Sequence, residues 1–165
     1  MFKATRDLIS ARQKLSKFVI QKVTVDQLGG GNLNDCFNNS CTYKENNISS
    51  KVVSGWIVKK FDAKTNSTAI IQHYWNVTHD GQHVDTTPLI GNDFEYVIDI
   101  EIALFSQMNY DKIFECVCSS LLLSNGLYST IKLTDDDVVT TPIKELNLES
   151  LFRDSIEKQS GILYA

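Results

Sequence analysis

Three residues stand in the order that thiol chemistry needs: Cys36, then His73, then Asp85. A thiol attacks as the thiolate, and a neighbouring base or a partial positive charge favours that form. Cys36 follows Gly29-Gly30-Gly31 and Asn34-Asp35 and begins a stretch, residues 36–45, that reads as a helix. A helix N-terminus offers unpaired backbone N–H groups and a partial positive charge. Both would favour a thiolate there and later an oxyanion. On this reading Cys36 is the nucleophile, and His73 takes its proton and returns one to the leaving group. Asp85 orients the imidazole and stabilises the imidazolium. The backbone N–H of Cys36 supplies half an oxyanion hole. Asn34, Asn32 and Gln27 are candidates for the other half, and nothing in the sequence chooses among them.

Whether His73 and Asp85 meet is a question of hairpin register. Residues 69–78 and 82–87 read as two strands joined around Asp80-Gly81. A two-residue turn would set Asn76 opposite Asp85 and send His73 and Asp85 to opposite faces, because side chains alternate along a strand. A three-residue loop, His79-Asp80-Gly81, pairs Thr78 with Gln82 and Trp75 with Asp85. Asp85 then becomes the diagonal neighbour of His73 on one face, about 7 Å away at Cβ. Gly81 suits the left-handed position of that loop. The catalytic reading therefore requires the odd-length loop.

The order of Cys36, His73-Tyr74-Trp75 and Asp85-Thr86-Thr87-Pro88 resembles the core of the transglutaminase-like superfamily. Val53-Ser54-Gly55-Trp56 resembles the family's strand before the histidine, and Gly31 to Cys36 its cysteine segment. The resemblance spans residues 29–88, with 37 residues from Cys36 to His73 and 12 from His73 to Asp85. It departs from the family pattern at Tyr74, where a small residue is usual, and at Thr86, where proline is usual. The resemblance implies a papain-like arrangement, with a cysteine at a helix start and a His and an Asp on neighbouring strands. It also implies acyl transfer through a thioester. The family includes cross-linking enzymes, peptidases, amidases and non-catalytic members.

Other readings stay open. His73, His79 and His83, with Cys36 or Asp85, have the types of a zinc site, although His79 and His83 read as exposed turn residues. A non-catalytic binding module is a second class. Trp56 and Trp75 read first as core and second as walls of a substrate cleft. Cys41, Cys116 and Cys118 read as small packing residues, and no Cys-x-x-Cys pair is present.

Several elements must position these residues. Thr5 is read as the cap of a basic helix reaching Ile20, and residues 21–35 as a loop. Strands are expected at 52–61, 69–78, 82–87 and 94–105, with a short strand at 127–133. Helices are expected from Asn109 or Asp111 to Leu123 and over 148–159, with a solvated turn at Asp135-Asp136-Asp137. This is one α+β domain over residues 1–165, with the cysteine-bearing helix packed on a central antiparallel sheet. Residues 1–23 form its basic N-terminal helix, 29–88 its catalytic core, and 92–165 complete and cover the sheet.

The composition is that of an ordinary globular chain: 165 residues, 42% hydrophobic and 22% charged. No apolar run is long enough to span a bilayer. The net charge of −4 argues against general nucleic-acid binding. The first 23 residues carry six basic groups against Asp7, a net of +5 that leaves −9 on the rest. Such a helix could dock an acidic partner. That segment has no central apolar block, so a cytoplasmic address is expected and the Asn-x-Ser/Thr sequons carry no weight. The expected substrate is a peptide or protein, with no cofactor and no metal.

Overall fold

The computed structural model describes residues 1–62, 67–89, 91, 93–104, 120–133, 138–144 and 146. Its spine is a long antiparallel pair, β3 (Lys51–Asp62) with β4 (Ser67–Val77), in which Gly55 pairs with His73 and Trp56 with Gln72. Both strands are rich in Val, Ile and aromatic residues, the types that fit a pleated, buried surface. β6 (Phe94–Ile98) pairs with the other edge of β3, and β1 (Gln21–Val23) pairs with β6. Beyond β4 come β7 (Ser120–Ser124), β8 (Leu127–Leu133) and β9 (Val138–Pro142), each antiparallel to its neighbour. β5 (His83–Asp85) pairs with the end of β4, and β2 (Val25–Gln27) runs parallel to β5. Among the described residues, nine strands thus make one sheet, accompanied by the helices α1 (Lys3–Gln13) and α2 (Cys36–Asn46), an α+β architecture.

Alternation along the strands divides the core in two. Trp56, Val58, Ile70, Tyr74 and Val97 join Ala4 and Leu8 of α1 in the larger cluster. Ile57, Trp75 and Tyr96 make the smaller one. α1 is locked down by a buried ion-pair group. Arg12 Nε donates to Asp99 Oδ2 at 2.7 Å, Arg12 Nη2 donates to Glu101 at 2.6 Å, and Trp56 Nε1 donates to the same Asp99 oxygen at 3.1 Å. Charges this deep are tolerated only when paired and hydrogen-bonded.

Several boundaries differ from those read in the sequence. α1 starts at Lys3 and stops at Gln13. Thr5 is no cap but lies inside the helix, buried, donating its hydroxyl to Glu95. Gln13 ends the helix early, since its side chain bonds the chain at Phe18 and Ile20 and folds it back. Leu15, Phe18 and Val19 are consequently exposed beyond the helix. The basic face is also partly consumed: Arg12 is internal, Lys22 pairs with Glu95, and Lys3 pairs with Asp7. The loop expected over 21–35 contains β1 and β2. The strand expected over 94–105 ends at Ile98, and residues 101–104 form a helical turn. Residues 120–123, expected in a helix, lie in β7, where Leu121 and Leu123 are buried between β4 and β8. The rest of that helix, the turn at 135–137, the helix at 148–159, and Cys116 and Cys118 lie outside the described residues. Among the described residues no helix is long and apolar enough to cross a membrane.

Candidate active site

The β4–β5 hairpin has the odd-length loop. Val77 pairs with His83 and Asn76 with Val84, so Thr78 faces Gln82 across His79-Asp80-Gly81. Thr78 N–H donates to Gln82 O, Gly81 N–H donates to Thr78 O, and Gly81 takes φ +87°, which glycine adopts without a Cβ clash. In that register Asp85 lies diagonal to His73. His73 Nε2 and Asp85 Oδ2 are 2.6 Å apart, and both side chains are buried.

α2 delivers the thiol. Its sequence, CFNNSCTYKEN, is a weak helix former. Its carbonyls gain a second set of partners from side chains. Ser40 Oγ donates to Cys36 O at 2.7 Å, Asn46 Nδ2 to Thr42 O, and Asn47 Nδ2 to Tyr43 O. Asn76 of β4 donates to Ser40 O at 2.9 Å, and Phe37 packs edge-on against Tyr74, which pins the helix to the strand. Cys36 is the first helical residue, and its thiol acts on the His73 side chain, helping to raise the imidazole pKa. An ionised Asp85 can only accept, so Nε2 of His73 carries the hydrogen of that bond and Nδ1 is left for the thiol.

The electrostatics follow from these contacts. Burial alone would pull the His73 pKa down, but the hydrogen bonds to Asp85 and Cys36 outweigh it and raise the pKa to about 9. Burial would push Asp85 up; the His73 bond, with help from Tyr96 and the Thr87 N–H, holds it below the usual carboxylate range. The arrangement thus favours an imidazolium beside a carboxylate, the partner a thiolate needs.

Asp85 is held on several sides. Tyr96 Oη donates to its Oδ2 at 2.5 Å, Gln27 Nε2 to the same oxygen at 3.3 Å, and Thr87 N–H to Oδ1 at 2.8 Å. Gln27 also bonds the Tyr96 hydroxyl. The parallel pairing of β2 with β5 puts Gln27 level with Asp85. Gln27, read as an oxyanion candidate, donates its amide to Asp85 and to the Tyr96 hydroxyl. Asn32 and Asn34 sit on the exposed loop leading into α2, and Asn34 takes φ +60°. Asn39 ties this loop down, accepting from Asn32 N–H and donating to Asn32 O and Thr87 Oγ1. A Cβ on Gly31 would meet the Asn39 side chain at 2.5 Å, so glycine is needed for that approach.

The two tryptophans do not line a cleft. Both are completely buried. Trp56 belongs to the larger core and bonds Asp99. Trp75 stacks beside His73, with centroids 6.3 Å apart and planes at 21°, and donates its indole N–H to His83 Nδ1 at 2.9 Å. His83 is thus half-buried and not a solvated turn residue, and burial pushes its pKa down. Among the described residues no group of three or more His, Cys, Asp or Glu side chains converges to hold a metal. Two surface cavities flank α2. One, of about 330 Å³, lies between the glycine loop, Asn39, Tyr43 and Thr86. The other, of about 750 Å³, lies between Phe37, Cys41, Ile48, Tyr74 and Ala103.

Tyr96 and Asn39 are the site residues that sequence reasoning did not single out. Tyr96 lies in a strand of ordinary hydrophobic character, and Asn39 is one of six asparagines from 32 to 47 with nothing local to distinguish it. No family model matches this chain, and no curated protein or solved structure matches it.

Proposed function

We propose that this chain is a thiol-dependent acyl-transfer enzyme that cleaves or transfers an amide or peptide bond through a thioester on Cys36. The observation that carries the reading is His73 bonded at 2.6 Å to a buried carboxylate and coupled to a thiol on the first residue of a helix. In the proposed cycle the thiol proton passes to His73 Nδ1, and sulfur attacks the substrate carbonyl carbon. The carbonyl electron pair moves to oxygen, where N–H groups of the first turn of α2 can receive it. Collapse of this intermediate breaks the C–N bond, and His73 returns the proton to the departing amine. Water completes hydrolysis, or a second amine completes transfer, with His73 as base. The scheme draws on no metal and no cofactor. The sequence order and this arrangement together support kinship with the transglutaminase-like, papain-like core.

One observation favours a second reading. Cys36 is 6% exposed and His73 4%, so a substrate carbonyl reaches the sulfur only if the groups around it move aside. A non-catalytic binding module built on the same core would have no need of that motion. Incubation with an activated acyl ester, followed by intact-mass analysis and peptide mapping, separates the two. The enzyme reading expects an acyl adduct on Cys36 that hydroxylamine discharges and that is missing in Cys36→Ala and His73→Ala. A folded wild-type protein that never acylates at Cys36 supports the binding module instead.

A further inference from the structure

Resting on the thiol-enzyme reading, the geometry points to Tyr96, backed by Gln27, as a positioning residue that fixes Asp85 and limits how tightly Asp85 holds the His73 imidazolium. The same carboxylate oxygen, Oδ2, receives both His73 Nε2 at 2.6 Å and Tyr96 Oη at 2.5 Å. With Gln27 Nε2 at 3.3 Å, three donors share the charge of this oxygen, so each is held less strongly than it would be alone. Tyr96 cannot turn elsewhere. It is buried, its ring packs edge-on against Trp75 at 5.3 Å and His73 at 5.9 Å, and its oxygen accepts the Gln27 amide. Burial first, and then Asp85, raise its own pKa, so it remains a neutral donor throughout the working range. The strands explain how three elements converge. Tyr96 pairs with Ile57 on β6, two positions from the Gly55–His73 pair, and Gln27 is aligned with Asp85 across the parallel β2–β5 pair.

A bare Asp–His pair in a buried site would hold its proton so firmly that the imidazolium would be a poor acid toward the leaving group. The phenol moderates this. It also fixes the rotamer of Asp85 together with the Thr87 N–H on the other oxygen. The titratable groups that face His73 are Cys36 from α2, Asp85 from β5 and Tyr96 from β6, with His83 behind Trp75. Gln27 on β2 is uncharged.

The test is a pH titration of the His73 ring by NMR in wild type, Tyr96→Phe and Gln27→Leu, paired with the pH profile of Cys36 alkylation. Tyr96→Phe keeps the ring in the core and removes only the donor. Its His73 midpoint is expected to rise by on the order of one pH unit, a roughly tenfold gain in proton affinity. Gln27→Leu should move it the same way by less. If either variant, folded by circular dichroism, titrates at the wild-type midpoint, the inference is overturned. Should Tyr96→Phe fail to fold, the exposed Gln27 substitution alone decides. A merely structural Tyr96 would alter melting and leave the midpoint in place. The thiol reading is judged separately, by whether wild-type Cys36 alkylation depends on His73 at all.

Discussion

Replacing Gly55 with alanine tests how the sheet makes room for the site. Gly55 lies on β3 directly opposite His73. A Cβ there would stand 2.1 Å from the backbone oxygen of Val97 and 2.5 Å from the Trp75 ring. The first overlap is with the backbone of β6, so no side-chain rotation relieves it. Either β3 and β6 part, or Trp75 is displaced from its stack on His73. Overpacking of a close-fitting core costs about 1–3 kcal/mol, and a clash with an immobile carbonyl in a paired strand belongs at or above the upper end. A loss of about 3 kcal/mol is a large share of the roughly 5–15 kcal/mol that holds a domain together. With a urea m-value of about 2 kcal/mol/M, the midpoint would fall by roughly 1.5 M. Gly81→Ala is the control. Gly81 has positive φ, which Gly55 does not, and meets nothing within 4 Å, so it should lose only about 1 kcal/mol from backbone strain. Equilibrium urea unfolding followed by tryptophan fluorescence reads both. If Gly55→Ala unfolds at the wild-type midpoint, or no earlier than Gly81→Ala, the close approach of β3, β6 and Trp75 is wrong.

Three further outcomes are expected. Arg12→Ala leaves Asp99 buried without its cation, and removal of one partner from such a pair costs about 3–5 kcal/mol; a thermal melt within a degree or two of wild type would contradict this. Glu95 is held down to about 2: burial opposes this, but Lys22, Thr5 and the Phe2 N–H outweigh it. A depressed carboxylate stabilises the fold above its unfolded pKa, and that contribution disappears as pH falls from about 4.5 toward 2. Glu95→Gln should therefore be less stable than wild type at pH 7 and converge with it near pH 2, and a gap that does not change with pH would refute the assignment. Deleting Gln82 keeps the three-residue loop, pairs Thr78 with His83 and Asn76 with Asp85, and so turns Asp85 to the face away from His73. That variant should lose the His73 dependence of Cys36 alkylation, and a retained dependence would show that the register does not control the site.

The part of the site legible in the sequence was the part governed by local rules. The left-handed Gly81 and the period of two along a strand decide the hairpin, and the hairpin decides that Asp85 meets His73. The helix start at Cys36 was equally local. What the sequence hid depended on partners far along the chain. Leu121 to Leu123 has the apolar run of a helix as much as of a strand, and only pairing with β4 and β8 selects the strand. Leu15, Phe18 and Val19 have helical spacing, yet Gln13 folds the chain back before they can continue α1. Trp56 read first as core and second as a cleft wall; Asp99, 43 residues away, takes its indole N–H inside the core. Nothing in the sequence chose among Asn34, Asn32 and Gln27, and it takes a three-residue parallel strand to set Gln27 beside Asp85.

The central claim is that His73 makes Cys36 a thiolate. The most direct measurement is the rate of iodoacetamide alkylation of Cys36 against pH, mapped by mass spectrometry, in wild type and His73→Ala. Cys41 serves as the internal reference, because burial pushes its thiol up. The account predicts that Cys36 alkylates rapidly well below the ordinary thiol pKa of about 8.5, and that His73→Ala returns it to that range while Cys41 is unchanged. A Cys36 profile in wild type that rises only near pH 8.5, or one that His73→Ala leaves unmoved in a folded protein, would contradict the account.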